Sequence, residues 1–301
     1  MEYAVNQSGK RIIINVLANA TKSLIGLQIG DSRIISVSYT DLFDLVLSIY
    51  GLQAKWGFEE TMAKYHVMPL SDAEDDSVIV METIENSENS MPTAHDLPDM
   101  LKLYQSADIF SCYSLTYRFE NGRIHSAGMT KILLYEHAIH WPWKPYEITD
   151  EGRVAFSTWF DKHQSIMHSE QNQKFQQIKR LYLESYLTGD ANLSFIMLSV
   201  VLEMLFGGTV ELTYRISRGT SLFLSTSKTE MKAIFKQAKD LYNIRSKYVH
   251  EGRSVEWDKL FDLRELVRRV IILTFERNMH KPDFDFKKFS EDLTYDGYSQ
   301  E

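Results

Sequence analysis

A single cysteine, Cys112, is present in the 301 residues, so neither an internal disulfide nor a zinc site built on several thiolates is available. No apolar run reaches the ~18 residues that a membrane-spanning helix needs, and the best stretch, Leu193 to Phe206, is interrupted by Glu203. The opening residues, MEYAVNQSGKR, lack the charged-then-apolar layout of a signal peptide, and with no membrane segment the chain reads as cytoplasmic. Also absent are a glycine-rich phosphate loop, a GxSxG nucleophile turn and an HExxH zinc motif. No cofactor and no metal is expected.

What is present belongs to an ordinary globular chain, 44% hydrophobic and 25% charged, long enough for two domains. Its charge is unevenly divided. Residues 1–170 carry 13 basic and 23 acidic side chains, a net of −10, whereas 171–280 come to +5 and 281–301 to −3. A mildly basic module inside an acidic protein permits a phosphate-bearing partner.

A change of pattern falls at Trp141-Pro142-Trp143-Lys144-Pro145, after which a helix opens near Thr149-Asp150-Glu151. The boundaries expected are an α+β domain over 1–148, a helical domain over 149–281 and a tail over 282–301. In the first, Ile12–Ala18 and Arg33–Tyr39 read as strands, with Gly30-Asp31 as a turn after Leu24–Ile29, and Thr40 as the cap of a following helix. Val78–Ile84 reads as a strand between two acidic exposed loops, Ser71–Ser77 and Glu85–Asp99. Ile109–Phe119 and Arg123–His125 pair around a Glu120-Asn121-Gly122 turn.

The second half is nearly all helix, with segments at about 150–168, 172–188, 191–206, 210–224, 228–250 and 255–280. In the last of these Leu260, Leu263, Leu266, Val267, Val270, Ile271 and Thr274 make a buried face. Arg264, Arg268, Arg269 and Arg277 read as a solvated face paired with neighbouring acids.

The segment LYNIRSKYVHEG, Leu241 to Gly252, carries the chemistry. Arg245 offers a fixed fork of donors to a phosphate, and His250, with four residues between the two, is the side chain best suited to take and give a proton near neutral pH. On a helix the two stand about 140° apart. The end of the helix, a partner helix or a second subunit has to bring them together. Taken alone the pair also fits a surface ion pair and a histidine at a helix C-terminus, where the dipole favours a cation.

Leu202-Glu-Met-Leu-Phe206, Glu211-Leu-Thr-Tyr-Arg-Ile216 and Leu-Tyr-X-X-Arg-Ser-X-X-Val-His-X-Gly from 241 to 252 occur in one order at compatible spacing. With them, roughly the last 130 to 150 residues resemble the Apea-like branch of the HEPN families. That resemblance implies a small helical bundle, commonly dimeric, and a metal-independent endoribonuclease with Arg245 and His250 as catalytic residues and Ser246 as a helper. It also makes Glu203 and Glu211 supporting residues, Glu203 as a carboxylate able to orient Arg245. Glu251 departs from the pattern, since many relatives pass directly from His to Gly.

The reaction expected is attack of a ribose 2′-OH on the adjacent phosphorus, giving a 2′,3′-cyclic phosphate and a 5′-hydroxyl, in a defence or stress response. The rival reading is a catalytically silent dimerisation or binding module attached to an amino-terminal domain that senses a ligand or protein. Two other histidine pairs are weaker. His137 and His140 could ligate a metal if helical but have no nearby acidic pair to complete a set, and His163 and His168 do not converge on one helix face.

Overall fold

The computed structural model describes residues 10–64, 77–85, 93–120, 123–131, 144–168, 172–208 and 211–295. The Trp141–Trp143 segment, the Asn121-Gly122 turn, His137, His140 and most of the acidic stretches at 71–77 and 85–92 lie outside these residues. The chain divides into two compact units, an α+β one and a helical one.

In the first unit, β1 (Arg11–Ala18), β2 (Gln28–Ile29), β3 (Ser32–Ser38), β4 (Ser77–Glu85), β5 (Phe110–Glu120) and β6 (Arg123–Lys131) form an antiparallel sheet in the order β2-β3-β4-β1-β5-β6. The run Ile12 to Ala18 is apolar nearly throughout because β1 is hydrogen-bonded on both edges and buried on both faces. Helix α1 (Tyr39–Tyr50) follows β3 directly. Its cap is Ser38, whose Oγ accepts from the Asp41 amide at 3.4 Å, in place of Thr40.

Helix α2 (Leu52–Lys64) was not legible in the sequence, and α3 (Thr93–Tyr104) replaces much of the loop expected over Glu85–Asp99. Pro98 disguised α3, yet Leu97, Met100, Leu101 and Leu103 recur at helical spacing and are all buried.

Two boundaries move. Helix α4 (Asp150–His163), capped by the Thr149 hydroxyl on the Gly152 amide at 3.0 Å, and the single turn α5 (Ser165–His168) belong to the first unit, whereas the sequence pattern starts the helical domain at 149. The cause is a set of contacts that local sequence does not show. Tyr104 meets Phe156 and Trp159 edge-on at 5.1 and 5.3 Å, and Arg153 Nη1 donates to the carbonyls of Ser23 and Ile25 at 2.7 and 3.1 Å.

The supposed tail, 282–301, instead contains helix α11 (Phe286–Tyr295). Phe289 packs on Phe206 and Phe223, and Leu293 is buried with its carbonyl accepting from Arg218 Nη1 at 2.6 Å.

The helical unit is built from α6 (Gln173–Glu184), α7 (Ala191–Phe206), α8 (Leu212–Leu224), α9 (Lys228–Glu251), α10 (Trp257–Glu276) and α11. Helix α7 packs against α6, α8, α9 and α10, and its Phe195, Leu198, Leu202 and Phe206 are buried at the centre. Helix α9 opens on a reciprocal cap: Ser227 Oγ accepts from the Glu230 amide at 3.2 Å, and Glu230 Oε2 accepts from the Thr226 amide at 2.9 Å. It stops at Gly252, whose φ of 71° is the left-handed conformation that glycine adopts without cost.

Arg264 does not join the solvated face read from the sequence. It is buried, donates from Nη2 to the Ser185 carbonyl at 2.9 Å and lies over the Tyr186 ring at 4.2 Å. Arg268 does pair with Glu265, through two contacts of 2.7 and 2.8 Å.

Candidate functional site

Helices α7 and α9 hold the candidate residues in register. Glu203 lies one turn before the end of α7, and its Oε1 takes the Tyr242 hydroxyl at 2.8 Å and Arg245 Nη2 at 3.1 Å. Tyr242 and Arg245 are neighbours across a helical turn, so one carboxylate reaches both, and the guanidinium lies 5.5 Å from the centre of the tyrosine ring. Burial first, and then the hydrogen bond to Glu203, push the Tyr242 phenol well above its ordinary value, which keeps it a donor to that carboxylate.

Arg245 and Glu203 side chains are each 23% exposed. The ion pair therefore sits at the edge of the bundle, and the guanidinium can meet a ligand without leaving its carboxylate. Its Nε is buried and has no hydrogen-bond partner.

His250 is exposed in the last turn of α9, and among the described residues it has no hydrogen bond or ion pair. Ser246 is half-buried on the turn between the two, and Glu251 is engaged by Arg253 at 2.8 Å. The helix keeps its regular winding to its end, with the Gly252 amide bonded to the Tyr248 carbonyl at 3.0 Å. No irregularity in the last turn swings His250 toward Arg245. Their side chains keep the separation of about 140° expected of ideal geometry, and one chain by itself does not place them in a single crevice. Tyr242, the second ligand of Glu203, was missed as a site residue, although its place one turn before Arg245 was the available signal.

Glu211 stands apart from this group. It is exposed at the N-terminal end of α8 with φ of 50°, and no hydrogen bond or ion pair joins its side chain to Arg245 or His250. His163 is also spoken for. It is buried in the first unit, with its Nδ1 2.8 Å from the Trp159 carbonyl and its ring stacked on Trp159 at 4.5 Å.

Beside the ion pair, the outward face of α7 is apolar. Leu193 is 49% exposed, and Ile196, Met197, Val200 and Met204 along the same stripe are only partly covered. On α9, Val249 is 50% exposed in the turn that carries His250. Among the described residues no group of three His, Cys, Asp or Glu side chains is placed to hold a metal ion, and no helix is long and apolar enough to cross a membrane.

Neither a family model, nor a curated protein, nor a solved structure matches this chain.

Proposed function

We propose that this protein is a metal-independent endoribonuclease of the HEPN type. The observation that carries the reading is the placement of Arg245 at the rim of the bundle, oriented by Glu203 and Tyr242, on the helix that presents His250 at its exposed end. A ribose 2′-OH attacks the neighbouring phosphorus. His250 moves a proton, from that hydroxyl or to the departing 5′-oxygen, and Arg245 neutralises the charge that grows on the phosphoryl oxygens. The products are a 2′,3′-cyclic phosphate and a 5′-hydroxyl, and the atoms balance with no external nucleophile.

Since the two side chains lie on different faces of α9, the site is completed by a second copy of the chain, whose α9 supplies the missing partner. The apolar outer stripe of α7 supports a homodimer, because an all-round hydrophobic helix belongs inside a packed interface. The α+β unit then serves as the part that receives a ligand or protein signal, in a defence or stress setting.

The test is cleavage of a labelled RNA in EDTA. His250→Ala and Arg245→Ala should each lower the rate at least about 100-fold, with cyclic-phosphate ends on the wild-type products. Undiminished cleavage by His250→Ala, or an absolute need for Mg²⁺, rejects the reading. A second reading, a catalytically silent dimerisation or binding module, is favoured by the same ion pair, in which Arg245 would only tie α9 to α7. It predicts no cleavage by the wild type, with dimerisation intact.

A further inference from the structure

Helix α9 is more than a carrier for two residues. Its outward side bears Lys232, Lys236, Lys239 and Lys247, all exposed, and intervals of four, three and eight residues on a 100° period align them along one ridge. His250 falls on the same line. From Lys232 to His250 the ridge runs about 27 Å, with close to one cation per turn over its first half.

A solvated helix face ordinarily mixes both signs and pairs them at i, i+4. This one does not. Among the described residues none of these lysines is in an ion pair, and Asp240 is the one exposed acid of α9 between Lys228 and Lys247. Glu230 is taken up by Thr226 and Arg269, and Glu251 by Arg253. Asp240, four residues after Lys236, is the one unengaged acid beside the ridge among the described residues, and against four lysines it leaves the ridge with a net positive charge.

On one flank an aromatic stands open. Tyr214 of α8 is 53% exposed and is braced edge-on by Phe235 at 6.1 Å, and Phe235 lies on the α9 face next to the lysines. A line of unneutralised cations beside an exposed, braced ring is what a single-stranded nucleic acid requires: phosphates on one side, an unstacked base on the other. A duplex hides its base faces and gains nothing from such a ring.

We propose that the Lys232–Lys236–Lys239–Lys247 ridge is the track on which the backbone of single-stranded RNA lies as it is led to His250, with Tyr214 stacking a base. The proposal rests on the ribonuclease reading for the choice of RNA, and it is tested by binding, so the two can fail separately.

The experiment measures binding of a fluorescein-labelled uridine 20-mer by the full chain carrying His250→Ala, in EDTA, across a range of salt. Reversal of three cations (Lys232→Glu, Lys236→Glu, Lys239→Glu) should weaken binding at least about tenfold and reduce the slope of log Kd against log salt by about two. All three side chains are exposed, and an unchanged Tm verifies the fold. Tyr214→Ala should weaken binding about fivefold or more and leave the salt slope unchanged.

Unaltered affinity and slope in the triple variant overturn the proposal. So does tighter binding of an RNA duplex than of the single strand, or binding of anionic vesicles with none of RNA. If the wild-type chain binds along the ridge and cleaves nothing, the track stands and the nuclease falls. If it cleaves and the ridge substitutions leave binding untouched, the track falls and the nuclease stands.

Discussion

At the scale of single residues, two arginines of the helical unit meet the cost of leaving water in opposite ways. Arg264 is wholly buried and spends its charge on a backbone carbonyl and the face of Tyr186, whereas Arg245 stays at the rim against a carboxylate. Arg264→Ala should therefore cost about 3 kcal/mol or more, by chemical denaturation, since it leaves a cavity under Tyr186 and removes one of the two side-chain donors, with Ser194 Oγ the other, on the Ser185 carbonyl. Arg264→Lys should not restore it, because an ammonium lacks the flat surface that lies on the ring.

Cys112 makes a second residue-level prediction. Burial pushes its thiol from 9.0 up to about 12, so the folded protein holds the proton more tightly than the unfolded chain. The resulting stability is complete below pH 9 and lost as pH rises toward 12, by up to about 1.4 kcal/mol per pH unit. Wild type should lose stability faster than Cys112→Ala across that window, and a thiol reagent should label it only after denaturation. The lone cysteine was legible in the sequence. Its strand was legible too, but its burial was not read there, and neither was the environment of Arg264, because a helical pattern reveals a face and not the carbonyl waiting opposite it.

At the scale of elements, α8 and α7 approach closely at Gly219. A Cβ there would stand 2.8 Å from Phe206 Cβ, so Gly219→Ala should destabilise by about 1–3 kcal/mol despite the better helix propensity of alanine. Thermal unfolding measures the sign. A gain in Tm would mean that the helices yield at this contact. Helices α6 to α10 were readable because their apolar residues recur at helical spacing between cap residues and glycines. Helix α11 was not, since its Phe286, Phe289 and Leu293 follow a proline and two aspartates that looked like the end of structure. In the candidate site, Arg245 and its carboxylate could be picked out from residue type and helix position. That Tyr242 shares that carboxylate needed the register of α9 on α7, which is a long-range fact.

At the scale of the whole molecule, the division between units falls after α5, and the contacts of Tyr104 and Arg153 explain why. A fragment of residues 1–168 should unfold cooperatively, whereas 1–148 strips the ring cluster from Tyr104 and should melt at lower temperature or bind a hydrophobic dye. Equal melting of the two would place the boundary back at 149. The α+β character of the first unit and the helical character of the second were both legible, because strand alternation and helical period are local signals. Where one unit stops was hidden, since α4 reads as a capped helix like those that follow it and nothing local tells which core its Phe156 and Phe160 join.

The unbroken winding of α9 up to Gly252 has a bearing on how an enzyme of this design would be governed. Each copy shows its guanidinium to one side and its imidazole to another, so turnover would demand an encounter between copies and output per chain would sink on dilution. Such a catalyst would be governed by how often copies meet: scarce protein would be idle, and anything that gathers copies together, a signal received by the α+β unit included, would turn it on.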